Sequence, residues 1–127
     1  MSETTKVAKW VPARVKLHLA APHGMVPARE AYKHPDAAGL AVTREEFGGG
    51  WTVTHVPSGW AVGRTEDAPR IHSREEAERF ALALAPLTDW TRGMDDVMAD
   101  KPTLAPLVNR VRGAVFGFSV WEDSDAD

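Results

Sequence analysis

Apolar and polar positions alternate strictly through Arg14-Val15-Lys16-Leu17-His18-Leu19. That period of two predicts a half-buried strand with Val15, Leu17 and Leu19 inward and Arg14, Lys16 and His18 on the other face. Pro12 suits the strand's beginning or an edge, where no ladder donor is needed. Leu40-Ala41-Val42-Thr43 predicts a second strand, and Gly48-Gly49-Gly50 breaks it. Between them, residues 21–38 contain Pro22, Gly24, Pro27 and Pro35. This composition predicts a loop with one helical turn around residues 29–32.

A hairpin follows in Trp51-Thr52-Val53-Thr54-His55-Val56-Pro57-Ser58-Gly59-Trp60-Ala61-Val62-Gly63-Arg64. A four-residue loop over positions 56–59 pairs His55 with Trp60, Val53 with Val62 and Trp51 with Arg64. A three-residue loop instead puts Trp51 and Val53 on the face opposite Trp60 and Val62. The first register gathers the apolar side chains, which is what normally fixes a register. It leaves Thr52, Thr54, Ala61 and Gly63 on the second face. Pro57 presets a type I turn, and Gly59 takes the left-handed position after it.

The period then changes. Ser73-Arg74-Glu75-Glu76 has the spacing of a capping box, and Ala77, Phe80, Ala81 and Leu84 repeat at i, i+3, i+4 and i+7. Glu75, Glu76 and Glu78 lie early, where the helix dipole favours anions, and Pro86 ends the helix. A second helix is predicted over residues 89–99, with Trp90, Met94, Val97 and Met98 inward and Gly93 weakening it by about 1 kcal/mol. Thr103 is expected to cap a third, leaving Pro106 in its first turn. Its stripe is Leu104, Leu107, Val108, Val111 and Val115. Residues 116–121 read as a last strand or a helix end. The expected fold is α+β: a single antiparallel sheet of three to five strands with two to three helices packed on one face. Residues 1–121 are expected to form one domain with residues 1–9 frayed, and residues 122–127 to form an acidic, disordered tail.

Composition narrows the setting. A chain of 127 residues can bury enough surface to fold without a staple. It has no cysteine, which removes disulfides and thiolate zinc sites and fits a reducing cytoplasm. No apolar run approaches the roughly 20 residues of a membrane span, and the first residues lack a signal-peptide pattern. The expectation is a soluble cytoplasmic protein. Arg outnumbers Lys ten to five, and Val outnumbers Ile thirteen to one. This usage points to a GC-rich gene, from such a bacterium or its phage.

The net charge of −3 is uneven, with +3 over residues 1–64 and −6 over residues 65–127. Such asymmetry can steer a partner. Candidate chemistry is sparse. His18, His23, His34, His55 and His72 show no helical zinc spacing. Ser58 lies between two strands rather than on a strand-to-helix elbow, so it reads as a turn residue. The triple glycine precedes a strand and lacks the helix N-terminus of a phosphate cradle. Asp95 and Asp96 diverge by about 100° around a helix. No enzyme, cofactor or metal site is expected.

Five tryptophans are present. Trp51, Trp60 and Trp90 fall on apolar stripes and are expected in the core. Trp10 and Trp121 lie near the ends, where partly exposed aromatics serve as binding anchors.

Residues 51–85 resemble the ββα core of integrase arm-type and AP2-like DNA-binding domains, through Trp51-Val53, Trp60-Val62 and Ser73-Arg74-Glu75-Glu76-Ala77-Glu78-Arg79-Phe80. The resemblance implies a sheet face that enters the major groove. Here that face carries Thr52, Thr54, Ala61 and Gly63, with no cation for phosphate or base contacts. The sequence therefore points first to a small non-enzymatic module that binds another protein, such as a phage or mobile-element accessory modulating a host factor. The alternative is a DNA-binding module using the basic N-terminal strand, and the third reading is an unrecognised enzyme. The candidate contact residues are Arg14, Lys16, His18, Trp10 and Trp121.

Overall fold

A computed structural model describes residues 9–19, 24–45, 50–62 and 71–116 of the chain. It is α+β. The main sheet is antiparallel and has four strands: β1 (Val11–Pro12), β4 (Ala31–Lys33), β5 (Leu40–Arg44) and β6 (Trp51–His55), in that spatial order. β2 (Lys16–Leu19) and β3 (Gly24–Pro27) form a separate two-stranded ribbon. Three helices follow: α1 (Arg74–Leu84), α2 (Met94–Ala99) and α3 (Lys101–Phe116).

β5 shows how the layers are arranged. Its first four residues, Leu40, Ala41, Val42 and Thr43, are all fully buried. A period of two sends them to opposite faces. Leu40 and Val42 join Val53, Phe80, Ala81 and Leu84 in the main core. Ala41 joins Val15 and Ala31 in a second, smaller cluster. Both sheet faces are thus covered, one by α1 and the other by the chain leading into the ribbon. Thr43 and Thr54 are buried on that second face and satisfy each other through a 2.9 Å hydroxyl–hydroxyl hydrogen bond. Of the face predicted to carry Thr52, Thr54 and Ala61, Thr54 is thus covered, while Thr52 is half-buried and Ala61 exposed. The resemblance to DNA-binding domains would send this same face into a groove.

α1 has the predicted boundaries and stripe. Ala77, Phe80, Ala81 and Leu84 are each at most 1% exposed. Ser73 Oγ accepts the Glu76 amide at 3.1 Å. The return half of the box is displaced by one residue, because Glu76 Oε1 accepts the amide of His72. Past Leu84 the chain tightens into a 3₁₀ turn over Ala85–Leu87 that holds Pro86.

Three expectations are corrected. Residues 24–38 are more ordered than a loop: β3 and β4 occupy them, with a 3₁₀ turn at Pro35–Ala37. β3 (Gly24-Met25-Val26-Pro27) and β4 (Ala31-Tyr32-Lys33) show no apolar–polar alternation, and their order comes from pairing with β1, β2 and β5. The second helix begins at Met94, not near residue 89. Asp89 instead accepts hydrogen bonds from the amide and hydroxyl of Thr91, closing a turn. Those two bonds hold the Asp89 carboxyl below its ordinary pKa. α3 begins at Lys101, so Pro106 lies inside the helix and not in its first turn. Leu104 and Val108 are buried, and Phe116 ends the helix against Phe80, with ring centroids 5.3 Å apart. The remaining residues of the expected last strand, and the acidic tail, lie outside the described residues.

Candidate functional site

The hairpin turn and the last two helices enclose an apolar groove of about 690 Å³. One wall is the turn. His55 donates its amide to Trp60 O at 2.8 Å, and Val62 donates to Val53 O at 2.8 Å. The register is the predicted four-residue loop, and Thr54 bridges Ala61 within it. The third predicted pair falls on Arg64, outside the described residues; Trp51 pairs instead with Ile71. Gly59 has φ +79°, and a side chain there would stand 2.9 Å from His18 N and from Lys16 O. Only glycine suits both the left-handed backbone and this close approach. The approach lets His18 N–H bond Gly59 O at 2.8 Å, docking the ribbon against the turn.

Trp90, from the segment after α1, forms the floor. It is buried, and its indole N–H donates to Leu84 O at 2.8 Å. The other wall combines Met94, Val97 and Met98 of α2 with Leu104, Ala105 and Val108 of α3. α2 has no fully buried residue, and Met98 is 46% exposed. This corrects the inward placement of Met98. Trp60 is 42% exposed at the opposite rim, which corrects its assignment to the core. The predicted register holds there, but among the described residues beyond Trp60 the pairing consists of the Thr54–Ala61 bridge and the Val62–Val53 hydrogen bond, with no continuous strand. The ring stands at a sheet edge and meets His18 edge-on, with centroids 4.1 Å apart.

The polar groups of the groove are few. His55 is buried, and its ring is held at both ends: Nδ1 is 2.7 Å from Ser58 Oγ and Nε2 is 2.9 Å from Arg92 O. Lys101, Asn109 and Arg112 complete the lining among the described residues. Arg112 donates to Asn109 Oδ1 at 2.7 Å, and burial lowers its pKa. Arg92 is turned away from this set, bonded to Thr88 and bridged to Asp100 at 2.9 Å.

The sequence-predicted contact residues are not brought together. Arg14 and Lys16 are exposed on the ribbon side. His18 is half-buried and touches the groove through Trp60. Trp10 packs elsewhere, tilted on His34 at 5.1 Å. Trp121 lies outside the described residues. Sequence reasoning missed the groove. Its available signal was two methionines on a short, weakly anchored helix, a pattern common on adaptable binding surfaces.

No protein-family model matches this chain, and no curated protein or solved structure matches it. No helix among the described residues is long and apolar enough to cross a membrane.

Proposed function

We propose that this protein is a non-enzymatic binding module that engages another protein through the groove between its hairpin turn and helices α2 and α3. The observation that carries this reading is the groove's lining: an apolar trough with Trp60 and Met98 exposed on opposite rims. Aromatic and methionine side chains are enriched at interface centres, and exposed apolar surface rimmed by polar groups marks interaction sites. Lys101 lies among its described lining residues and is exposed. The complementary partner is a short segment with aromatic or aliphatic side chains flanked by Asp or Glu. The lack of cysteine suits work in the cytoplasm.

Selection from a displayed random-peptide library tests this. The expected consensus combines large apolar residues with carboxylates. Trp60→Ala should weaken a selected peptide by about 30-fold, the size of a hot-spot loss of 2 kcal/mol. Lys101→Glu should weaken it further as salt is lowered. Peptides that bind Trp60→Ala as well as the parent would overturn the reading. So would duplex DNA binding that Arg14→Ala and Lys16→Ala abolish while no peptide is enriched.

A further inference from the structure

We propose that Ser58 is a nucleophile, able to take an acyl group from an activated acyl donor, such as a thioester with an apolar chain, seated in the groove. This goes beyond binding and uses a pair of residues that binding does not require. The orientation of each proton follows from the partners. A backbone carbonyl can only accept, so the 2.9 Å contact to Arg92 O puts the ring hydrogen of a neutral His55 on Nε2. Nδ1 is then an acceptor, and the Ser58 hydroxyl donates to it at 2.7 Å. His55 O lies 3.5 Å from the same hydroxyl and is the poorer acceptor. The Trp60 amide donates to Ser58 Oγ at 3.1 Å. The base that removes the proton is the group that activates a serine, and the Trp60 amide holds Oγ in position for that transfer.

The surroundings favour the same step. His55 is 3% exposed, so its orientation is held by the fold. Both residues line the groove beside Trp60, Trp90 and Leu104, which offer an acyl chain an apolar bed. In the step, Ser58 Oγ attacks the carbonyl carbon and its proton passes to His55 Nδ1. The O–C bond forms, the C–S bond breaks, and the departing thiolate takes the proton from Nδ1. The amides of Ser58 and Gly59 both donate to His55 O, at 3.2 and 2.7 Å. The turn therefore offers a carbonyl oxyanion no free amide at either stage. The thioester, with its thiolate leaving group, can still acylate Ser58, whereas the less activated oxygen ester that results is hydrolysed slowly.

The test is reaction of the full chain with a hexyl fluorophosphonate, in which Oγ–P forms, P–F breaks and fluoride leaves, followed by peptide mapping. Ser73 serves as the internal reference, because its hydroxyl caps a helix and has no imidazole partner. General-base help is worth about 100-fold or more. Ser58 should therefore label at least about 100-fold faster than Ser73, and unfolding in urea should abolish the difference. His55→Gln, shown folded by circular dichroism, should lower the ratio below ten. Equal labelling of the two serines, no labelling of Ser58, or a ratio unchanged in folded His55→Gln overturns the proposal. The urea comparison needs no variant, so it decides the matter even if His55→Gln fails to fold. Peptide affinity is measured separately, so a failure here leaves the binding reading standing, and a failure of peptide selection leaves Ser58 reactivity standing.

Discussion

α1 and α2 are both amphipathic, and they end in opposite situations. α1 sets four side chains, each at most 1% exposed, against β5 and β6. α2 packs against α3 and leaves Met94 and Val97 half-buried and Met98 exposed. Length is part of the cause. Eleven residues give α1 three turns of continuous stripe, whereas the six of α2 give fewer than two. The other part is anchorage. α1 starts from a side-chain cap at Ser73, and α2 starts at Gly93 without one. An apolar stripe that reaches a sheet becomes core. One that packs mainly against a second helix stays partly open and becomes a site.

The difference can be broken at its strongest point. Phe80→Ala should cost about 3–5 kcal/mol by denaturant titration, and a loss below 1 kcal/mol would mean α1 is not the clamp on the sheet. Gly39 joins the two regions. It has φ +87°, and a Cβ there would stand 2.3 Å from the backbone of Trp90. Gly39→Ala should therefore add backbone strain and overpacking, each about 1–3 kcal/mol. It should also disturb the groove floor, read as a changed Trp fluorescence maximum. Ser73→Ala removes the cap and should cost about 1 kcal/mol, lowering the melting temperature without altering peptide binding. At the weak end, Met98→Ala should change stability by less than about 0.5 kcal/mol while reducing peptide affinity. A larger stability loss would place Met98 in the core after all.

The legible parts of the chain are those where one period runs long enough and meets a matching terminus. Ser73, the stripe through Leu84 and the register of residues 53–62 satisfy that condition. β3 and β4 do not, since their residues carry no alternating pattern and the strands exist because neighbours supply their hydrogen bonds. The candidate contact residues fared unevenly for a similar reason. The common face of Arg14, Lys16 and His18 follows from strand geometry. That His18 would spend that face on Trp60 depends on Gly59, more than forty positions away.

The sequence by itself determined that the chain builds an α+β domain, which face of α1 is core, and how the hairpin closes. These are set by interactions within a few residues and by the period of the apolar pattern. Only the tertiary structure decided that Thr43 and Thr54 are covered, that Trp60 stands in solvent, and that His55 reaches Arg92. Each of those depends on where separate elements come to rest against one another. A side chain's exposure belongs to that arrangement, and the local pattern does not encode it.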